Sequence, residues 1–305
     1  MTDLAILTTY FNPCGYHNRR NNYQVFAQGC RSIGAELFTV ECVFGEEESF
    51  DLAPGDNVIQ LRASSVMWQK ERLINQCVLK YIPKNFTKIA WVDCDLKFAN
   101  LDWAKEASDV LDRHKIIQPF EFVDRLPQNG GVSDSTGDVS RSFAAVWTDR
   151  SIVNRTRWED HGHTGYAWAA RRDLFECCGL YDAGILGNGD HFMAHAFTDE
   201  MHSECITEFY QTDDLIYLHL KDWATRAYEY CQGDIGYVEG VVYHLWHGEH
   251  ANRRYIQRHQ QLRIVGYNPY TDIAIDDQGC FRWASHRPGL VELANEHFKL
   301  RKEDG

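Results

Sequence analysis

The sequence predicts an α/β fold built on a mostly parallel central sheet, with a helical extension at the C-terminal end. Three observations carry this prediction. Short apolar runs alternate with segments of helical periodicity, which is typical of strand–helix–strand units. A strand followed by a helix and a second strand requires a crossover connection, and such connections build parallel sheets. A hydrophobic content of 44% over 305 residues is sufficient for a well-packed core.

The first part of the chain is predicted to form one strand–helix–strand unit followed by a third strand. In order, the predicted elements are a strand at 4–10, a helix at 20–33, a strand at 36–44 and a short strand at 58–61. Gly34 and Gly45 follow the helix and the second strand, where glycine favours a change of chain direction.

The most informative stretch runs from residue 68 to residue 98. Apolar residues recur at intervals of three and four over 73–81, which predicts a helix with one buried face, and residues 88–92 form an apolar run of strand length. Asp93 and Asp95 follow this strand, at the edge of an α/β sheet where ligands bind. In extended geometry both carboxylates face the same side and suit Mg²⁺ or Mn²⁺. A solvated strand end is the alternative interpretation.

Two later clusters also contain side chains suited to chemistry. Asp190 ends a Gly-Asn-Gly-Asp run and precedes a predicted helix at 192–197, so capping of that helix is the alternative to a catalytic role. His244 and His247 follow an apolar run, and two imidazoles together with a carboxylate favour Mn²⁺. Histidines that only satisfy hydrogen bonds in the core are the alternative for this pair.

Composition narrows the class of protein and its compartment. A formal net charge of −13, from 31 basic and 44 acidic residues, argues against a general binder of nucleic acid or anionic membranes. The ten cysteines lie in scattered apolar settings without a Cys-x-x-Cys zinc pattern, which indicates reduced thiols. The sequence lacks a basic leader and any apolar stretch of about 20 residues, so we expect no signal peptide, no membrane span and a cytoplasmic location in a bacterial, phage or viral host cytosol.

In these stretches the sequence resembles the metal-dependent glycosyltransferases of the GT-A fold, and among them the β-1,4-galactosyltransferase-like inverting enzymes. The elements that carry the resemblance are the run Trp68-Gln-Lys-Glu-Arg-Leu-Ile-Asn75, Asp93-Cys-Asp95, the Gly-Asn-Gly-Asp190 run and His244-x-x-His247. The resemblance spans roughly residues 4–258. It implies a single Rossmann-like GT-A domain at 1–258, with a nucleotide-binding half at 1–100 and an acceptor and metal half at 101–258, followed by a packing extension at 259–305.

The resemblance also implies roles for individual residues. Asp190 corresponds to the catalytic base that removes the acceptor proton. The donor nucleotide-sugar is expected to contact Thr9, Tyr10, Phe11, Lys70, Arg72, Asn75, Asp93, Cys94, Asp95, Arg253 and Arg254. The acceptor is expected to contact Gly165, Trp168 and Gly189, and the metal is expected to be held by Asp95, His244, His247 and Asp93.

The long polar segment at 124–160 breaks the α/β alternation and is predicted to be a mobile loop on the acceptor side. Trp147 and Trp158 within it are suited to stacking on a sugar or a base. Packing of either ring in the core is the alternative.

The predicted function is a metal-dependent inverting glycosyltransferase that moves a sugar from a nucleotide diphosphate-sugar, expected to be UDP-linked, to a hydroxyl of a carbohydrate or other acceptor. Mn²⁺ or Mg²⁺ is the expected cofactor. One alternative is a phage or viral enzyme that glycosylates hydroxymethylated DNA bases, so that nucleic acid enters only as an acceptor. The other is a nucleotidyltransferase or sugar-nucleotide hydrolase on a similar fold, because a shared fold does not fix the reaction.

Overall fold

A computed structural model describes residues 3–149 and 157–305 of the chain. The strands in these ranges are β1 (Leu4–Tyr10), β2 (Leu37–Phe44), β3 (Val58–Ala63), β4 (Lys88–Val92), β5 (Leu96–Phe98), β6 (Ile116–Gln118), β7 (Phe122–Arg125), β8 (Val139–Arg141), β9 (Ala167–Arg171), β10 (Ile235–Tyr237), β11 (Val241–His244), β12 (Ile273–Ile275) and β13 (Phe281–Trp283). The helices are α1 (His17–Ser32), α2 (Lys70–Lys80), α3 (Trp103–Leu111), α4 (Phe143–Thr148), α5 (Asp173–Cys177), α6 (Gly189–Phe197), α7 (Glu204–Thr207), α8 (Leu215–Cys231), α9 (Tyr255–Ile264) and α10 (Pro288–Leu300).

Seven strands form the central sheet, in the order β10-β6-β9-β4-β1-β2-β3. β1 pairs in parallel with β2 and β4, β2 pairs in parallel with β3, and β6 pairs in parallel with β10. β9 runs antiparallel to both of its neighbours, β4 and β6. The predicted α/β fold with a mostly parallel central sheet is therefore confirmed. β9 was not predicted, because its run Ala-Trp-Ala-Ala-Arg lacks the β-branched residues that mark most strands.

A second sheet contains four strands in the order β5-β11-β7-β8, and its strand β5 directly follows β4 in the chain. β11 runs antiparallel to β5, and His244 pairs with Leu96. The amide of Leu245 donates a hydrogen bond of 2.8 Å to the carbonyl of Asp95. This pairing brings the end of β11 against the turn that follows β4.

Helix α2 and strand β4 agree closely with the periodicity of the sequence. Leu73, Ile74, Cys77 and Val78 are at most 1% exposed and pack in the core, whereas Tyr81 lies past the end of α2 and is 43% exposed. An apolar face at helical spacing is buried because that arrangement removes the most apolar surface from water.

The turn after β4 differs from the prediction. Residues 93–95 leave the strand and turn into β5, so the alternation of side chains along a strand no longer applies. The extended geometry expected for Asp93 and Asp95 is therefore not found, and Asp93 is not grouped with the metal-binding atoms of Asp95, His244 and His247. Asp93 Oδ1 lies 2.7 Å from Lys70 Nζ, whereas Asp95 Oδ2 lies 3.3 Å from His247 Nε2.

The segment predicted as a mobile loop at 124–160 contains β8 and α4, and its residues 150–156 lie outside the described part of the chain. All ten cysteines are free thiols. Among the described helices, none has the length and apolar character needed to span a membrane.

The C-terminal extension packs against α2 and the end of β1. The Gln69 side-chain amide donates a hydrogen bond of 2.8 Å to the carbonyl of Phe281. Gly279, at φ +85°, lies against the side chain of Gln76, where any larger residue would collide. In α10, Phe298 stacks on Trp68 with ring centroids 6.3 Å apart. The extension therefore covers one side of the region beyond the carboxyl ends of β1 and β4.

Candidate active site

A cavity of about 770 Å³ opens where β1 and β4 end. Thr9 and Phe11 reach its wall from the end of β1, and residues 93–95 reach it from the turn after β4. The carboxyl edge of parallel strands is where ligands bind in open α/β sheets. Other parts of the wall come from the starts of α2 and α6, the end of β11, α9 and Arg301 near the C-terminus.

Three side chains with metal-binding atoms meet at the cavity wall. His247 Nε2 lies 3.3 Å from Asp95 Oδ2, and His244 Nε2 lies 4.0 Å from Asp95 Oδ1. The two Nε2 atoms are 2.7 Å apart. One ligand atom from each residue lies within 4.8 Å of the others.

The donor chemistry of Asp95, His244 and His247 fits a divalent cation. Ligand atoms about 2.1 Å from one ion are roughly 3.0 Å apart when they are neighbours in an octahedral shell. The separations of 2.7 and 3.3 Å are near this value, whereas the 4.0 Å between His244 and Asp95 Oδ1 is longer. Asp95 Oδ1 is buried without a hydrogen-bond partner in the described residues. Burial lowers the pKa of His244 and of His247, so both rings present lone pairs and no charge. A carboxylate with two imidazoles suits Mn²⁺ better than Mg²⁺.

A buried carboxylate lies behind His247. Glu303 is 1% exposed, and it pairs with Arg301 Nε at 2.6 Å, Arg253 Nη1 at 3.3 Å and Arg19 Nη1 at 3.4 Å. Burial disfavours its charge, but the surrounding guanidinium groups hold the pKa of Glu303 well below its usual range. Glu303 Oε1 also lies 3.6 Å from His247 Nδ1. Arg253 Nη2 lies closer to the same Nδ1 and also donates to the carbonyl of His247 over 2.6 Å, so the ring is held between Arg253 and Glu303.

Positive charge is concentrated on the same wall. Arg19, Arg253, Arg258 and Arg301 all line the cavity, and the Glu303 carboxylate neutralises only part of this charge. Burial lowers the pKa of Arg258 to about 10, which leaves it cationic at neutral pH, and its Nε is buried without a hydrogen-bond partner among the described residues. Guanidinium groups on this wall can pair with the oxygens of an anionic ligand, although carboxylates line other parts of the cavity.

Lys70, the first residue of α2, links two carboxylates. Its Nζ lies 2.7 Å from Asp93 Oδ1 and 2.8 Å from Asp190 Oδ2. Burial opposes the charge of Lys70, but the carboxylates of Asp190 and Asp93 outweigh this effect and raise its pKa. Burial raises the pKa of Asp190, although Lys70 opposes this effect, and Asp190 Oδ1 is buried without a partner in the described ranges. Asp190 is therefore a fixed carboxylate with a free oxygen at the cavity wall.

The structure brings many of the sequence-predicted residues together. Those that line the cavity are Thr9, Phe11, Lys70, Asp93, Cys94, Asp95, Gly165, Asp190, His244, His247 and Arg253. Trp158, a predicted stacking residue, also lines it, whereas Trp147 donates its Nε1–H to the carbonyl of Gly233 over 3.2 Å.

Three residues assigned to the donor site are placed elsewhere, and we revise their roles. Tyr10 points away from the cavity and donates its hydroxyl to Asp51 over 2.7 Å. Arg72 donates to the carbonyl of Gly279 over 2.7 Å, so it fastens the C-terminal extension. The Asn75 side chain bonds the backbone of residue 180, where it supports a turn.

Three further residues are also absent from the cavity wall. Trp168 is fully buried in β9 and donates to the carbonyl of Thr164 over 2.7 Å, so its ring cannot contact an acceptor. Gly189 lies directly under the carboxylate of Glu71, and its lack of a side chain is a packing requirement. Arg254 adopts φ +47° before α9 and does not line the cavity.

Arg258, at helical spacing from Arg254, was expected from the sequence to face the diphosphate and does line the cavity, whereas sequence reasoning missed Arg125, His163, Tyr166, Arg301 and the supporting Glu303. His163 stacks on Tyr166 with ring centroids 4.0 Å apart, and Arg125 donates to the Tyr166 hydroxyl over 3.0 Å. In the sequence, nothing distinguishes these residues from the many polar residues that lie at surface positions in turn-rich segments. Arg301 and Glu303 reach the site through contacts across almost the whole chain.

No protein-family model and no curated protein sequence matches this chain. Among solved structures, similarity extends to a Drosophila β1,4-galactosyltransferase 7 variant in complex with manganese, UDP-Gal and xylobiose, at 9% identity over 95% of this chain and 98% of that chain, with a TM-score of 0.40. Staphylococcus aureus TarS is similar at 10% identity over 87% of this chain and 64% of that chain, with a TM-score of 0.41. A 4-diphosphocytidyl-2C-methyl-D-erythritol synthase from Anaerococcus prevotii is similar at 11% identity over 78% of this chain and 88% of that chain, with a TM-score of 0.37. Similarity at this level assigns no function, which must be argued from the site.

Proposed function

We propose that this protein is a glycosyltransferase that moves a sugar from a nucleotide diphosphate-sugar to an acceptor hydroxyl with inversion at the anomeric carbon. The observation that carries the proposal is the meeting, in one cavity, of a metal-binding group, a wall of arginines and a carboxylate with a free oxygen. A nucleotide diphosphate needs the first two, and deprotonation of an acceptor needs the third. UDP is the nucleotide that we expect.

Asp95, His244 and His247 would hold the cation. A bound Mn²⁺ supplies Lewis-acid stabilisation of negative charge on a diphosphate. The chain's own contribution is to fix the three ligands: the pairing of β5 with β11 sets the distance between Asp95 and His244, and Arg253, itself paired with Glu303, holds the ring of His247.

The arginine wall binds and neutralises the leaving diphosphate. Guanidinium groups pair with phosphate oxygens through two hydrogen bonds at once, which makes them stronger than single donors. Arg301 is held over the Trp68 ring at 5.2 Å and Arg258 over the Tyr255 ring at 4.7 Å, so their positions are set before the donor arrives. Prepositioned charge stabilises a transition state without the cost of rearranging dipoles.

Asp190 acts as the general base. Lys70 holds Asp190 Oδ2, which leaves Oδ1 to accept the hydrogen bond of the acceptor hydroxyl and then its proton. Burial raises the pKa of Asp190, and the charge of Lys70 opposes this rise and favours the ionised form that a base needs. Gly165, beside the Asp190 carboxylate, leaves room for the acceptor, since an added Cβ there would lie 3.8 Å from Asp190 Oδ2.

The acceptor side of the cavity suits a carbohydrate. Trp158 and Tyr166 line it, and flat aromatic faces pack well against the apolar faces of sugar rings. The net charge of −13 makes a polyanionic acceptor such as DNA unfavourable.

The test is calorimetric titration of a nucleotide-sugar panel with Mn²⁺ and with chelator, followed by turnover assays. We expect one nucleotide diphosphate-sugar to bind only with metal, the Asp95→Ala variant to lose this binding, and the exposed-site control Asp109→Ala to keep it. Asp190→Asn should bind the donor normally but lower the transfer rate about 10²–10⁴-fold, the range for loss of a general base. Absence of nucleotide binding in any condition would overturn the proposal. Consumption of a nucleoside triphosphate and a sugar phosphate would instead identify a nucleotidyltransferase.

A further inference from the structure

Four other buried side chains with metal-binding atoms cluster beside the cavity. His161, His191, His195 and Cys205 each offer one ligand atom, and the four atoms lie within 4.8 Å of one another. All four residues are at most 3% exposed. A tetrahedral zinc ion, with bonds of about 2.0 Å to nitrogen and 2.3 Å to sulfur, keeps its ligand atoms roughly 3.3–3.6 Å apart. The cluster can adopt these separations with small side-chain movements.

Local structure brings the four residues together from three segments of the chain. His191 and His195 are four residues apart in α6 and share one face of that helix. Cys205 is the second residue of α7, and its Sγ lies 3.2 Å from His195 Nε2. His161 precedes Gly162, whose φ of +72° turns the chain where an added Cβ would lie 2.7 Å from the carbonyl oxygen of Ser142.

Hydrogen bonds around the rings leave nitrogen lone pairs inside the cluster. His161 Nδ1 donates to the carbonyl of Gly162 over 2.6 Å, so its Nε2 carries the lone pair, and that atom is buried without a partner in the described residues. Both ring nitrogens of His191 are buried without a partner there too. His195 Nδ1 lies 3.2 Å from Ser203 Oγ, which leaves Nε2 directed at Cys205. Buried polar atoms without partners are rare, and one metal ion would satisfy His161 Nε2 and one of the two nitrogens of His191.

Simple packing of aromatic rings is the alternative explanation. His191 does stack on Trp158, with ring centroids 4.3 Å apart. Burial lowers the pKa of His195 to about 3 and raises the pKa of the Cys205 thiol to about 11, so the metal-free cluster is uncharged. Packing accounts for the ring contacts, but it leaves the buried nitrogens of His161 and His191 unsatisfied.

We infer that His161, His191, His195 and Cys205 bind one structural Zn²⁺ ion. Three imidazoles and one thiolate, each from a residue at most 3% exposed, supply the nitrogen and sulfur ligands that a tetrahedral zinc ion binds, whereas the oxygen and nitrogen ligands at Asp95 suit Mn²⁺. On binding, the Cys205 thiol loses its proton to solvent and the thiolate forms the zinc–sulfur bond.

This ion would join α7 and the segment before Gly162 to α6. Asp190 lies in the first turn of α6, and His161 and His191 also line the cavity. The zinc site would therefore hold the wall that carries the proposed base. The inference does not depend on the reaction proposed above, because it concerns a different set of ligands.

The test uses the full-length protein purified without added metal. Elemental analysis should find about one zinc per chain, and replacement by Co²⁺ should give the absorption of a tetrahedral site with a thiolate-to-cobalt charge-transfer band. Cys205→Ser should abolish the band and reduce the zinc content to near zero. The exposed-thiol control Cys177→Ser and the variant Asp95→Ala should both retain the band and the zinc.

Either of two results would overturn the inference. The first is a wild-type protein that is free of zinc, gains no thermal stability from added Zn²⁺ and shows no charge-transfer band with Co²⁺. The second is a band that persists in Cys205→Ser. If Cys205→Ser does not fold, the Co²⁺ absorption spectrum of the wild-type protein tests the proposed zinc site by itself.

Discussion

Replacing Glu303 by glutamine should destabilise the protein strongly, because the carboxylate lies among three guanidinium groups. Glu303 is 1% exposed and pairs with Arg301, Arg253 and Arg19 at 2.6, 3.3 and 3.4 Å. Removal of one partner from a buried ion pair leaves an uncompensated charge and costs about 3–5 kcal/mol. One anion here serves three cations, so the free energy of unfolding should fall by at least about 3 kcal/mol.

The pH dependence of this effect follows from the lowered pKa of Glu303. The carboxyl has a reference pKa of 4.5 in the unfolded chain and a lower one in the folded state. A group of this kind contributes its full stability above the unfolded value and loses it as the pH falls through the folded value. The difference between wild type and Glu303→Gln should therefore be constant near neutral pH and shrink below pH 4.5.

Urea unfolding followed by circular dichroism measures this difference. The control is Glu292→Gln, an exposed glutamate on α10, which should change stability by no more than about 0.5 kcal/mol. Loss of the carboxylate behind His247 should also weaken Mn²⁺ binding about 10–100-fold in calorimetry. Unfolding curves of Glu303→Gln that coincide with those of wild type would refute the buried charge cluster and the position of the last residues within it.

Three further predictions concern Arg258 in the cavity wall and the buried contact between Glu71 and Gly189. Burial raises the pKa of Glu71 to about 8, so between pH 4.5 and about 8 the folded state keeps a proton that the unfolded state has lost. The free energy of unfolding should fall with rising pH in this window, by up to about 1.4 kcal/mol per pH unit, and urea titrations of Glu71→Gln should lack that slope. Arg258→Gln should weaken calorimetric binding of the nucleotide diphosphate about 10-fold or more, whereas Arg263→Gln, on the half-exposed side of the same helix, should not. Gly189→Ala should lower the melting temperature, because its methyl group would meet the buried Glu71 carboxylate; an unchanged melting temperature would show that Glu71 moves freely.

The features that sequence predicted well are those that local periodicity determines. The run 88–92 became β4 because five consecutive buried residues of strand length suit a central strand with both faces covered. The face of α2 that contains Leu73 and Cys77 followed from helical spacing in the same way. In these segments the neighbours along the chain already contain the information that fixes the local structure.

The site was harder to predict, because its contacts join distant positions. Lys70 and Asp190 are 120 residues apart, and nothing near either residue indicates that they form a pair. The turn at 93–95 separates Asp93 from Asp95 because the chain must enter β5 to pair with β11. Trp168 is typical of a sugar-stacking residue by composition, yet its position in β9 between two other strands buries it. In all three cases, contacts between distant parts of the chain determine where the side chain lies.

Residues 303 and 304 give a further example of contacts between distant positions of the sequence. Asp304 accepts hydrogen bonds of 3.0 and 2.9 Å from the amides of His17 and Asn18, which open α1. A carboxylate at this position satisfies free amides and favours the positive end of the helix dipole. The sequence around residue 17 contains no capping side chain of its own, since the N-cap residue is Tyr16 and makes no side-chain cap. The neighbouring Glu303 pairs with the arginines and lies beside the ring of His247. The same short segment thus contacts both the start of α1 and the surroundings of the proposed metal site, so loss of residues 303 and 304 should disturb both together.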